Sequence, residues 1–136
     1  MIVVDANVIA YFIVPGDITK HAEAVREKDP HWSAPKLWRY EMRNLLTLYV
    51  RSGALVLDEV RTHMANAERL LTGREYDVLS DGVLSLAAVS GCTAYDCEFV
   101  YLAERLSIPL VTSDNKLLMT FPKIAVSMTD FIERQY

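Results

Sequence analysis

Short apolar runs that lead into aspartates constrain the fold of this chain more than any other feature. One run, Met1–Asp5, ends in the acid itself, and another, Ile108–Thr112, is followed two residues later by Asp114. Runs this short and this apolar are typical of strands buried on both faces of a parallel sheet. The segments between them carry helical patterns, so the sequence predicts an α/β protein.

The predicted elements alternate along the whole chain. Predicted strands cover Met1–Asp5, His31–Ala34, Glu75–Leu79, Ile108–Thr112 and Ile124–Ser127. Predicted helices cover Asn7–Phe12, Thr19–Lys28, Pro35–Ser52, Asp58–Leu71, Asp81–Ser90, Ala94–Leu106, Asn115–Thr120 and Thr129–Gln135. This alternation predicts a three-layer α/β/α fold with a central, mainly parallel sheet and right-handed crossovers. No linker or repeat interrupts the pattern, so we expect a single domain over residues 1–136.

Composition excludes several classes of protein. A chain that is 51% hydrophobic and 24% charged is typical of a folded globule and not of a disordered segment. A net charge of −4 argues against a protein that coats nucleic acid, but not against a metal nuclease, whose cation reverses the local field. The apolar run Val8–Val14 is far shorter than the ~20 residues of a membrane span. We therefore expect a soluble, cytoplasmic protein that has no membrane partner.

Two aspartates lie where ligands bind in open parallel sheets, beyond the carboxyl ends of strands. Asp5 ends the first predicted strand, and Asp114 lies just past the end of another. Each could instead be the N-cap of the helix that follows it, because Asp is common at that position. Their joint placement at one edge favours a functional interpretation.

Glu41 occupies an unusual position for a helical carboxylate. Trp38 and Leu45 lie three residues before it and four after it, so Glu41 falls in line with an apolar stripe. An unpaired charge buried there would be costly. A salt bridge to Arg39 or Arg43 is one interpretation. A bound metal is the other, and it is favoured because both arginines start from a different face of the helix.

Asp96 follows Thr93 by three residues, which is the spacing of a capping box, so that taken alone it is interpreted as structural. The number of such acids favours another interpretation. Like charges gathered in one place repel each other unless a cation offsets them, and oxygen ligands select Mg²⁺ or Mn²⁺. Such an ion activates water for phosphodiester hydrolysis. The predicted metal-binding and catalytic residues are Asp5, Glu41, Asp96 and Asp114.

Four segments of the sequence resemble motifs of the PIN-domain ribonucleases, in matching order and spacing. They are V-V-D-A-N-V at Val3–Val8, Y-E-M-R-N-L-L at Tyr40–Leu46, T-A-Y-D-C at Thr93–Cys97 and P-L-V-T-S-D at Pro109–Asp114. Within this family, the chain is most similar to the toxin halves of VapBC-type toxin–antitoxin pairs. The resemblance implies that the four acids surround Mg²⁺ or Mn²⁺. It also implies that Thr112 supplies a hydroxyl beside the site and that Asn7 helps to orient Asp5.

The resemblance further implies an RNA substrate, a homodimer and inhibition by a small antitoxin protein. Some relatives carry a further acid shortly after the last aspartate, where this chain has Lys116, Leu117 and Leu118, which argues against a second tightly held ion. For RNA contact, Lys36, Arg39 and Arg43 recur along the helix that carries Glu41. A solvated helix face explains these three basic residues equally well.

The leading hypothesis from the sequence is a metal-dependent endoribonuclease that acts as a growth-inhibiting toxin. One alternative is a housekeeping PIN-domain nuclease for RNA processing, without an antitoxin. A short partner gene immediately upstream would favour the toxin over this alternative. Another is an inactive RNA-binding or interaction module, and the presence of all four acids speaks against it.

Overall fold

The structure, a computed structural model, describes residues 1–134. Its strands are β1 Ile2–Val4, β2 Trp32–Pro35, β3 Glu75–Tyr76, β4 Leu110–Val111 and β5 Ala125–Val126. Its helices are α1 Ala6–Ile13, α2 Thr19–Lys28, α3 Leu37–Arg51, α4 Leu57–Leu70, α5 Ser80–Ser90, α6 Ala94–Leu106, α7 Asn115–Thr120 and α8 Met128–Glu133. The order of these elements is the predicted one.

The five strands form one sheet in the order β3-β2-β1-β4-β5, and every pairing is parallel. Helices flank this sheet, so the predicted α/β fold with a parallel sheet is confirmed. Strand β1 lies at the centre, with β2 on one side and β4 on the other. The strand order therefore reverses at β1, and ligands in such sheets bind beyond the carboxyl ends of the strands at this point.

The core surrounds the central strands. Ile2, Val3 and Val4 of β1 are at most 1% exposed, as predicted for a strand that is buried on both faces. Helix α6 packs against β1, β2 and β4, and it buries Phe99 and Leu102. This packing fixes the start of α6 relative to the carboxyl ends of the central strands.

Helices α5 and α6 meet at a sharp turn. Helix α5 ends at Ser90 and is capped by Gly91, as predicted, and the positive φ of 72° at Gly91 favours glycine. The two helices are bent by 115° relative to each other. Although this bent pair has the combined length and composition of a membrane span, no single helix within residues 1–134 is long and apolar enough for one. The turn starts α6 at Ala94 and so places Asp96 in its first turn.

Several predicted boundaries are wrong at the strands. Strand β3 stops at Tyr76 and does not reach Leu79, because this edge strand pairs with β2 only at Ala34 and Pro35. Pro35 belongs to β2 and does not open the following helix, which begins at Leu37. The predicted end of the last helix at Gln135 lies outside the described residues. Within them, α8 ends at Glu133.

Candidate active site

A cleft of about 190 Å³ opens beyond the carboxyl ends of β1 and β4. Its lining contains the four predicted acids, two asparagines and four apolar residues. These lining residues are Asp5, Ala6, Asn7, Glu41, Asn44, Leu45, Asp96, Phe99, Asp114 and Leu117. The fold therefore brings the four acids to one cleft from widely separated parts of the chain.

The register of β1 and β4 places Asp5 beside Thr112. Val4 lies opposite Val111, so the next residue of each strand emerges at the same edge of the sheet. The buried Thr112 hydroxyl donates a hydrogen bond to Asp5 Oδ2 and accepts one from the Asp114 amide at 3.0 Å. Thr112 thus links the two aspartates.

Asp5 and Asp114 are both helix N-caps, as the structural interpretation of each residue predicted. Asp5 Oδ1 accepts a hydrogen bond from the Val8 amide at 3.0 Å. Asp114 Oδ1 accepts from the amides of Lys116 and Leu117 at 2.8 and 3.2 Å. Capping uses one oxygen of each carboxylate and fixes its direction. Asp114 Oδ2 has no hydrogen bond within residues 1–134, so the cap leaves that oxygen free in the cleft.

Glu41 lies half-buried on α3 and forms no hydrogen bond or ion pair within the described part of the chain. Arg39, its proposed partner, is held instead by Glu75, with Nε–Oε2 and Nη2–Oε1 distances of 2.6 and 2.7 Å. Arg39 also pairs with Glu68. The interpretation of Glu41 as one half of a salt bridge is therefore wrong, and its charge faces the cleft without a protein cation.

Asp96 reaches the cleft from the first turn of α6. Its amide donates a hydrogen bond to Thr93 Oγ1 at 3.1 Å, so Thr93 caps the helix at the predicted spacing. The Asp96 side chain is half-buried and lines the cleft. Asp96 therefore belongs to a helix cap and also lines the cleft, as Asp5 and Asp114 do.

Three acids of the cleft, Asp5, Glu41 and Asp96, have pKa values above those of carboxylates in water. Burial raises the pKa of Asp5 to about 6, against the opposing hydrogen bonds from Thr112 and Val8. Burial, followed by the charges of Asp5, Asp96 and Glu98, raises the pKa of Glu41 to about 7. Burial is also the main cause that raises the pKa of Asp96. A cation in the cleft would relieve both the repulsion and the desolvation of these groups.

The donor set of the cleft fits a hard divalent cation. All four titratable lining residues are carboxylates, which are ligands that Mg²⁺ and Mn²⁺ prefer. Within residues 1–134, no three acidic, histidine or cysteine side chains converge closely enough to bind one ion directly. Mg²⁺ usually keeps several waters and binds through one or two carboxylates, so an open cleft of this kind suits it.

The predicted basic strip does not line the cleft. Lys36 pairs with Asp77 at 3.1 Å, and Arg39 is held by its two glutamates. Arg43 lines a separate groove between α3 and α4. On a helix, residues two apart do not share a face, so Arg39 and Arg43 both point away from the flank that carries Glu41.

Two residues of the site were not among the predicted ones. Asn44 lines the cleft one helical turn after Glu41, and this spacing of three residues was a signal available in the sequence. Glu98, on α6, lies close enough for its charge to raise the pKa of Glu41. Asn7 lines the cleft but makes no hydrogen bond to Asp5, whose carboxylate is oriented by Thr112 and Val8.

Comparison with known proteins places the chain among ribonucleases. It is 32% identical to Ribonuclease VapC3 of Pyrobaculum aerophilum over 127 residues, which are 90% of this chain and 96% of the relative. Its fold is similar to the crystal structure of PAE2754 from Pyrobaculum aerophilum, with a TM-score of 0.77 at 24% identity, over 96% of this chain and 92% of that one. No family model matches the chain. The identity to VapC3 extends over nearly the whole of both sequences, and the chain therefore belongs to the VapC family of PIN-domain ribonucleases.

Proposed function

We propose that the protein is a divalent-metal-dependent endoribonuclease, with one nuclease domain over residues 1–136. Asp5, Glu41, Asp96 and Asp114 would hold its Mg²⁺ or Mn²⁺ ion, one or two of them directly and the others through waters of the ion. The observation that carries this proposal is the convergence of these four carboxylates on one cleft. Within residues 1–134 none of them forms a salt bridge, and the charge of Lys116 acts on Asp96 alone among those with a raised pKa. Membership of a ribonuclease family supports RNA as the substrate.

The four carboxylates differ in how firmly they are held, which suggests different tasks. When bound, the ion supplies a water of lowered pKa and offsets the charge that develops on the phosphate. Asp5 and Asp114 are fixed by helix caps and by Thr112, so they are the rigid ligands. Within residues 1–134 no hydrogen bond fixes the Glu41 carboxylate, so it is suited to orient the attacking water or to accept a proton from it.

Cleavage of an RNA oligonucleotide tests this function. We expect cleavage with Mg²⁺ or Mn²⁺ and none in EDTA. Residues that only hydrogen-bond to metal ligands already change activity by up to about a hundredfold when they are replaced. Asp5→Asn and Asp96→Asn alter proposed ligands themselves, so they are expected to lower activity by on the order of a hundredfold or more. Asp17→Asn is the matched control, because Asp17 is exposed and does not line the cleft. Activity that persists in EDTA, or in both variants, contradicts the proposal.

We further propose that the protein is the toxin of a toxin–antitoxin pair and that the antitoxin docks between α3 and α4. A groove of about 350 Å³ lies there, with an apolar floor that includes Leu46, Val50 and Met64. Three arginines also line this groove: Arg43, Arg51 and Arg61. An amphipathic helix that carries acids beside its apolar face is complementary to this surface in both shape and charge. An RNA substrate and a protein antitoxin both imply a cytoplasmic protein.

We infer that the protein forms a homodimer through α5. Leu79, at the N-cap of α5, and Leu84 and Val89 within it are 65%, 63% and 86% exposed. Asp81 is the only charged residue of this helix. Exposed apolar side chains on a helix that carries a single charge suit packing against an identical copy.

A further inference from the structure

Hydrogen-bond donors are scarce in the acidic cleft. Of the ten lining residues, four are carboxylates, which only accept when ionised, and four have apolar side chains. The amides of Asn7 and Asn44 are the only side-chain donors among them. When the carboxylates are ionised beside a bound cation, any polar group of a substrate that needs a donor from a side chain in this cleft must therefore use one of these two amides.

Asn44 is placed to contact a substrate and has no structural task to explain it. It lies one turn after Glu41 on α3, so the two side chains share the flank that faces the cleft. The residue is exposed, and its amide forms no hydrogen bond with any residue in the described range 1–134. Asparagine is a poor helix former, so α3 gains no stability from it.

The chemistry of the amide indicates which part of a nucleic acid it binds. A phosphate only accepts hydrogen bonds and is drawn to the cation of the site. A ribose 2′-hydroxyl both donates and accepts, as does the asparagine amide, and it is the group by which proteins distinguish RNA from DNA. The surrounding carboxylates also disfavour a second anionic group at this position, whereas they do not repel a neutral hydroxyl.

We propose that Asn44 is a specificity-determining residue that hydrogen-bonds the ribose 2′-hydroxyl beside the cleaved phosphodiester and so favours RNA over DNA. This inference rests on the proposed ribonuclease function and adds a substrate contact to it. A neutral hydrogen bond contributes about 0.5–1.5 kcal/mol, which corresponds to a discrimination of roughly threefold to tenfold.

The test compares an RNA oligonucleotide with copies that carry a single 2′-deoxy nucleotide on either side of the mapped cleavage site. Wild type is expected to cleave the RNA with a kcat/KM roughly threefold to tenfold above that of one deoxy copy. Asn44→Ala is expected to lower kcat/KM for the RNA to the value for that copy and to leave the copy unaffected. Asn66→Ala, on α4 and outside the cleft, is the matched control and keeps the wild-type ratio.

A binding arm provides a readout that does not depend on turnover. In an Asp5→Asn background, fluorescence anisotropy of the same labelled oligonucleotides should show the RNA preference, and adding Asn44→Ala should remove it. The inference is overturned if Asn44→Ala weakens the RNA and its deoxy copies equally, or if it leaves the preference unchanged. Failure of wild type to cleave any RNA with Mg²⁺ or Mn²⁺ contradicts the proposed function instead. The binding arm then compares an RNA oligonucleotide with its all-DNA copy, and the inference is overturned if Asn44→Ala leaves the ratio of their affinities unchanged.

Discussion

Asp5 receives hydrogen bonds from the Thr112 hydroxyl and the Val8 amide, yet its pKa is raised to about 6. The two hydrogen bonds stabilise the ionised form, so burial and the charges of Asp96 and Asp114 outweigh them. The same carboxylate therefore caps α1 and retains an uncompensated charge at the cleft. A cation is the simplest group that satisfies both observations.

Replacing Glu41 by Gln should stabilise the metal-free protein at alkaline pH. The folded-state pKa of Glu41 is raised from 4.5 to about 7, so between these values the folded state binds the proton more readily than the unfolded state. Stability therefore falls as the pH rises through this range, and Glu41→Gln removes this loss. Because Glu41 is only half-buried, we expect a gain of about 1 kcal/mol near pH 8 and little change near pH 5.

Urea unfolding in EDTA at these two pH values measures the effect of Glu41→Gln. The control is Glu23→Gln, since Glu23 is exposed on α2 and does not line the cleft. A gain that is equal at both pH values, or a loss of stability under alkaline conditions, would contradict the electrostatic explanation.

Thr112 offers a second prediction about single residues. Thr112→Val leaves Asp5 Oδ2 and the Asp114 amide without their shared partner, which costs about 1–3 kcal/mol of unfolding free energy. The lost hydrogen bond also raises the pKa of Asp5 further. Thermal unfolding measures the cost, and Thr112→Ser should restore most of it because the hydroxyl returns. Equal stability of the Val and Ser variants would show that this hydroxyl is unimportant.

Different flanks of helix α3 face different surroundings. One flank carries Glu41 and Asn44 toward the cleft. Another is anchored by Glu75, which accepts hydrogen bonds from Trp38 Nε1 at 2.9 Å and from Arg39. A third, with Arg43, forms part of the groove against α4. The basic residues of α3 thus have contacts of their own, apart from the cleft.

The groove between α3 and α4 provides a prediction at the scale of elements. Leu57 lines the groove and is 51% exposed, so Leu57→Glu should leave the fold intact while it places an acid where an acidic helix is proposed to bind. Co-purification with the product of a short gene directly upstream should be lost in Leu57→Glu. It should persist in Met119→Glu, which alters an exposed methionine on α7. Equal capture by both variants would place the partner elsewhere.

The apolar face of α5 makes a prediction about assembly. Val89 is 86% exposed, so Val89→Glu introduces a charge without disturbing the core. If two copies pack through α5, wild type should have the mass of a dimer in light scattering and Val89→Glu that of a monomer. Met119→Glu is again the control and should stay dimeric. A dimer that persists in Val89→Glu would exclude α5 as the interface.

Helices were more predictable from the sequence than strands. The helix from Thr19 to Lys28 and the helix from Ala94 to Leu106 have the predicted bounds, because periodicity and capping signals are local. The strand predicted over Ile108–Thr112 is reduced to Leu110–Val111. The length of a strand depends on the pairing that its neighbours offer, and that pairing is not encoded locally.

At the scale of the whole molecule, topology explains why distant acids meet. Because β1 and β4 are adjacent and parallel, Asp5 and Asp114 reach one edge, which the ends of the predicted strands already indicated. Glu41 and Asp96 join them through the packing of α3 on β2 and of α6 on the central strands. This packing could not be derived from the sequence, because it depends on long-range contacts. The same is true of the salt bridges that Arg39 forms with Glu68 and Glu75.

Calorimetric titration of Mn²⁺ into the purified protein tests the central claim most directly, since it measures binding of the ion independently of RNA cleavage. The account predicts saturable binding to wild type and to Asp17→Asn at neutral pH. It also predicts binding that is weakened by on the order of a hundredfold or lost in Asp5→Asn and Asp96→Asn. Equal affinity of all four proteins, or no binding to wild type, would contradict a metal site built from these carboxylates.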